Sequence, residues 1–155
     1  MTTDIDSNLW ALTVLTHTAS TWFLVGLIWM IQIVHYPSFS SIDPAKYDVF
    51  QQRHMEKMGK LIGLPWLIEG LSVLALFAFA PTTTIRALAT LGGLLEVTVI
   101  TVTIWSSIPA HTALASGFDT DAHQRLLLSN RIRTAAWTGR GLLAVAVLWL
   151  TVQPG

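Results

Sequence analysis

The sequence predicts an all-α fold, a four-transmembrane-helix antiparallel bundle forming one integral membrane domain over residues 1–155. Three observations predict it. Apolar residues make up 52% of the 155-residue chain and charged residues only 12%, about half the charged share of an ordinary soluble domain. Four apolar stretches reach the roughly 20 residues needed to cross a bilayer, at about 9–34, 61–80, 85–108 and 134–152. Seven tryptophans suit interfacial anchoring and packing in a membrane. The lipid bilayer is therefore the expected surrounding. A formal net charge of +0 gives no sign of a nucleic-acid partner, and the lack of cysteine excludes disulfides, thiolate metal sites and thiol chemistry.

The first helix is expected over about 9–34. The chain before it is acidic (Asp4, Asp6), and the apolar run is too long for a signal-peptide core and has no cationic leader. The helix is therefore expected to stay in the mature chain. Pro37 and Pro44 bracket a short loop. Asp43-Pro44 is a helix start, with Asp as cap and Pro in the first turn. Tyr47, Phe50, His54, Met58 and Leu61 then recur at helical spacing. The second helix thus runs over about 44–80 and begins before the membrane, with a bend expected near Gly63-Leu-Pro65. Pro81 turns the chain into a third helix over about 85–108, which Pro109 ends. Asp119 opens the fourth, over about 120–152, again outside the membrane.

Orientation follows from the basic residues. Lys46, Arg53, Lys57 and Lys60 lie at the first loop, and Arg125, Arg131, Arg133 and Arg140 at or beyond the third; only Arg86 lies on the other side. The positive-inside rule puts those loops in the cytoplasm of a bacterial inner membrane and both termini outside. The second and fourth helices then extend on the cytoplasmic side.

Polar residues inside apolar runs belong in a bundle interior rather than on a lipid face. Placed at about 100° per residue, each helix carries one polar seam: His17, Thr21, Gln32 and His35; His54, Met58, Pro65 and Glu69; Glu96, Ile100, Thr103 and Ser107; Asn130, Arg133, Trp137 and Arg140. The simplest packing turns all four inward. At 1.5 Å per residue, Glu69 lies about 12 Å and Arg140 about 10 Å below the cytoplasmic ends of their spans, which makes them candidates for an intramembrane ion pair. With Arg140 so engaged, Glu96 would be left without a basic partner, a neutral carboxyl near the midplane able to bond a substrate or relay a proton. His17 stands alone toward the outer side.

His35, His54, His111 and Arg133 gather at the cytoplasmic mouth. Three imidazoles and a carboxylate suit a transition metal such as Fe, Cu or Zn; the competing reading is interfacial histidines bonded to water, headgroups or backbone. Trp105 and Trp137 near the mouth would wall a flat pocket, with Asn130 beside them, and such a pocket suits a small aromatic or quinone-like ligand. Glu69, Arg140 and Arg133 would then position or act on that ligand in oxidoreductase or oxygenase chemistry. The competing class is a non-enzymatic subunit or scaffold, in a homo-oligomer or larger membrane complex, whose polar seam only specifies packing. Gly59-x-x-x-Gly63 would allow close helix approach.

At His35-Tyr36-Pro37, at Trp105 to Pro109-Ala-His111, and at Asn130-Arg-Ile-Arg133-Thr134-Ala-Ala-Trp137-Thr-Gly-Arg140, the chain resembles a group of small uncharacterised bacterial four-helix membrane proteins. More distantly it is similar to the anthrone-oxygenase-like membrane domain family. The distant resemblance implies an oxygenase acting on an aromatic substrate, as in members that oxidise an anthrone to an anthraquinone.

Overall fold

In a computed structural model, which describes the backbone of residues 2–153 and the side chains of residues 7–153, the chain is all-helical. The acidic start singled out above, Asp4 and Asp6, lies outside the described side chains. Among the described residues five α-helices succeed one another: α1 (Thr2–Met30), α2 (Tyr47–Ala78), α3 (Thr83–Val102), α4 (Ile108–Leu114) and α5 (Thr120–Val152). Caps set the starts: Asp119 accepts from the Ala122 amide at the head of α5, and Thr82 from the Ile85 amide at the head of α3.

A π-turn at Thr103–Ser107 joins α3 to α4 without a break. Proline lacks an amide proton, so it is best tolerated in a first helical turn, and Pro109 occupies that position of α4. The third helix therefore does not end at Pro109 but continues to Leu114. A second π-turn, Ile31–His35, extends α1 and closes with the Tyr36 amide on the Ile31 carbonyl at 3.0 Å. Pro65 sits inside α2, which is one continuous helix.

Four resulting stretches are long and apolar enough to cross a membrane: Ser7–Ser41, Pro44–Ala78, Thr83–Leu114 and Thr120–Val152. Large apolar side chains cover their outer faces, among them Leu64, Leu67, Leu71 and Leu74 on α2, Leu94 and Val97 on α3, and Leu142 and Trp149 on α5. Lipid would leave these faces in an apolar solvent. α1 and α3 each pack against both α2 and α5, so α2 and α5 face each other across the diagonal.

Three apolar clusters fill the interior. Val14, Leu76, Ile85 and Val147 close the end where the Trp10 indole donates to Thr151. Leu24, Ile28, Val99 and Trp137 fill the middle. Phe39, Tyr47, Leu114 and Leu126 close the other end. Gly139 and Gly141 let α5 approach its neighbours: a Cβ on Gly139 would lie 3.1 Å from Leu95, and one on Gly141 3.2 Å from Val25. Gly59 and Gly63 do the opposite of what their spacing suggests. Nothing lies within 4 Å of either Cβ position, so they bring no helix close.

Candidate functional site

None of the residues from Met55 to Ile68 is buried. Here α2 meets the core only through partly buried side chains, Met58, Ile62 and Trp66, and a cavity of about 430 Å³ lies beneath it. Its floor is Ile28, Ile31, Trp66 and Trp137; its polar wall is Tyr36, His54, Thr103, His111 and Arg133. Gly59 and Gly63 line its edge on α2, and Ile108 and Thr112 line it on α4. The absent glycine side chains thus widen the space instead of tightening the packing.

Both π-turns adjoin this cavity, since Ile31 and Tyr36 bound one and Thr103 belongs to the other. A π-turn inserts an extra residue and rotates the helix beyond it, a device often found at functional sites. The first lets the neighbours His35 and Tyr36 both join the histidine cluster. The second turns Trp105 outward, 76% exposed. Trp105 therefore does not wall the pocket; seam arithmetic at 100° per residue loses phase across a π-turn. Trp66, pairing edge-on with Trp137 at 5.7 Å between ring centroids, takes its place.

The three histidines of the mouth do come together, with ring centroids 4.8 Å apart for His35–His54 and 5.1 Å for His54–His111. Their nitrogens do not converge on a metal. His35 Nε2 and His54 Nδ1 are hydrogen-bonded to each other at 2.8 Å. His111 spends Nε2 on the Tyr36 hydroxyl at 2.9 Å and Nδ1 on the Gln51 amide at 2.8 Å. Among the described residues no group of three or more His, Cys, Asp or Glu side chains is arranged to hold a metal ion, and neither Glu69 nor Glu96 lines this wall. The metal expectation for His35, His54 and His111 finds no support in this arrangement: hydrogen bonds between His35 and His54, and from His111 to Tyr36 and Gln51, engage four of their six ring nitrogens.

The Gln51 amide nitrogen also approaches the His111 carbonyl, at 3.3 Å, which identifies it as the donor. His111 Nδ1 is then the acceptor and Nε2 carries the proton, donated to the Tyr36 oxygen. This tautomer is inferred from the network. It leaves the Tyr36 O–H free to donate into the cavity. His123, the histidine the seam reading passed over, donates from Nε2 to the Tyr36 carbonyl at 2.7 Å and holds that turn in place. Its signal was present, because His123, Asn130 and Trp137 are spaced by seven on one face of α5.

Arg133 is 8% exposed. Nη2 donates to Asn130 Oδ1 at 2.9 Å and Nη1 reaches Thr103 at 3.5 Å, while Nε is buried without a partner among the described residues. Asn130 in turn donates to Gln32 at 3.0 Å. Asn130 thus lies behind the wall and orients Arg133.

A second polar layer lies below, tied to the two indoles of the cavity floor. Arg140 Nε meets Glu69 Oε1 at 3.0 Å, and Nη1 meets Glu96 Oε2 at 3.2 Å and donates to the Gly92 carbonyl at 2.6 Å. Trp137 donates to Glu69 at 3.0 Å and Trp66 to Glu96 at 2.6 Å. The lone Glu96 expected from sequence is thereby corrected: a guanidinium presents donors on two edges, and Arg140 serves both carboxylates. His17 is not alone either, since Nδ1 meets the Ser72 hydroxyl at 2.9 Å.

A second cavity, about 620 Å³, lies on the other side of α2 against Lys46, Arg53 and Lys57, with His35 and His54 as its inner wall. Comparison with protein-family models, with curated proteins and with solved structures finds no match. Function therefore rests on the chemistry of the site itself.

Proposed function

We propose that this is a multi-pass membrane protein of the bacterial inner membrane that takes a flat, oxygen-bearing aromatic ligand of the quinone type from the bilayer, for oxidoreductase chemistry. One observation carries the reading: an aromatic-floored cavity of about 430 Å³ whose polar side is Tyr36, His54, Thr103, His111 and Arg133. Such a volume and such sparse, convergent polarity suit a small ring system held by its oxygens. The opening supports supply from lipid, because Met55 and Ile108 on its rim are exposed apolar side chains. Tyr36, backed by His111, would exchange a proton with a ring oxygen as the ring changes oxidation state. The resemblance to the anthrone-oxygenase-like family points to the same ligand class.

The topology belongs to the same proposal. The helices run antiparallel, the basic loops and the cavity end lie toward the cytoplasm, α2 and α5 extend past the bilayer there, and both termini are outside. Reporter tags at either terminus are expected to read outside; a cytoplasmic amino terminus overturns the orientation. Assembly as a homo-oligomer or in a larger complex would supply the electron partner.

Calorimetric titration of the detergent-purified protein with a neutral naphthoquinone tests the ligand reading. Saturable binding is expected, abolished by Gly59→Leu without a fall in melting temperature, since that side chain would enter open space. No binding by the native protein, or binding indifferent to Gly59→Leu, overturns the reading. In that event the polar seam serves packing alone.

A further inference from the structure

The charges of the interior do not cancel where they lie. Among the described residues Glu69 and Glu96 are the buried carboxylates, and both are committed to Arg140. Arg133, two turns earlier on α5 and about 10 Å away along the axis, has neutral neighbours: Asn130, Thr103 and the Tyr36 hydroxyl beside it. His111 and His54 complete the wall and bring no negative charge. A guanidinium stays protonated, and a buried charge without a counter-ion is costly. Its Nε is buried, carries a proton and has no acceptor among the described residues. The cation borders a cavity open to the outside of the bundle.

We infer that the ligand of this cavity is an anion: an acidic aromatic, such as a hydroxyquinone or phenol in its ionised form, whose oxyanion sits against Arg133 and Tyr36 while its ring lies over Trp66 and Trp137. The inference rests on the aromatic-ligand reading above and sharpens it from neutral ring to conjugate base. An oxyanion in the cavity lies against the Arg133 guanidinium that lines its wall, offsetting the cation, and accepts the free Tyr36 O–H in a charge-assisted bond. A neutral quinone could accept the same proton but would leave the cation uncompensated.

The test compares a hydroxynaphthoquinone, ionised at neutral pH, with its methyl ether, which matches its ring and stays neutral, and with decanoate as an anion without a ring. Binding is measured by calorimetry on the full chain in detergent. The hydroxy compound is expected to bind on the order of tenfold tighter than the ether, the size of one charge-assisted bond gained. Arg133→Met should bring the two to the same weak affinity, while Arg133→Lys keeps part of the preference; the thermal melt of each variant controls for folding. Equal native affinities, or a preference that survives Arg133→Met, overturn the anion inference and leave the aromatic cavity standing. Failure of both naphthoquinones removes the cavity reading itself. Decanoate binding as tightly as the hydroxy compound upholds the anion and replaces the ring by a fatty-acid chain.

Discussion

Arg133 and Arg140 lie seven residues apart on one helix and face the same interior, yet they live in opposite environments. Arg140 is 1% exposed and bound by Glu69, Glu96 and a backbone carbonyl; Arg133 is 8% exposed and has no carboxylate among the described residues. The same side chain closes the bundle at one level and leaves a site open at the other. What differs is α2. Where Glu69, Ser72, Val73 and Leu76 pack inward the helix delivers a buried acid; between Met55 and Ile68 it delivers partly buried apolar side chains, Met58, Ile62 and Trp66, and no buried carboxylate. A buried cation is thus structural or functional according to whether the opposite helix supplies its counter-ion.

Breaking the closed level should have the larger effect. Arg140→Met strands two carboxylates in the core and is expected to cost about 3–5 kcal/mol, read as a large fall in the melting temperature in detergent. Adding Glu69→Gln and Glu96→Gln should recover most of it. Purely additive losses would show that the three do not act as one network. Next comes Gly141→Ala, whose new Cβ would meet Val25 at 3.2 Å and Trp22 at 3.3 Å; overpacking of this kind costs about 1–3 kcal/mol. Arg133→Met should sit well below both. Replacing an uncompensated buried charge by an apolar chain is expected to change the melt by less than about 1 kcal/mol, or to raise it. A loss as large as that of Arg140→Met would show that Arg133 already has a counter-ion and would erase the contrast.

Much of the closed level was legible in the sequence, and less of the open one. The Glu69–Arg140 contact could be reached by adding 1.5 Å per residue, because α2 and α5 are regular at that depth. The facing of Trp105 could not be placed that way. The π-turn at Thr103–Ser107 shifts the phase, and Pro109, an apparent stop, becomes part of the first turn of α4. The clustering of His35, His54 and His111 could be read from depth, but the use of their ring nitrogens could not, since that is decided by Tyr36 and Gln51 at ångström range. Arg140 is the one basic partner the sequence offers Glu96, but pairing residues one to one gives it to Glu69 alone and ignores the several edges of a guanidinium.

The smallest effect is the one that most sharpens the comparison. Gly59 and Gly141 are both glycines of spanning helices, and each faces the level whose arginine it adjoins. Gly141→Ala must displace neighbours; Gly59→Ala displaces nothing, as no atom lies within 4 Å of its Cβ position. Alanine also restricts the unfolded backbone, which is worth about 0.5–1 kcal/mol in a helix interior. The ligand-free protein carrying Gly59→Ala is therefore expected to melt slightly higher than the native chain. Its new methyl group narrows the cavity edge, so the rise in melting temperature produced by a saturating naphthoquinone should shrink. Stability and ligand response would then move in opposite directions from a single methyl group. A mutant that loses stability before any ligand is added would mean that α2 packs closely here, and the open level would have no opening.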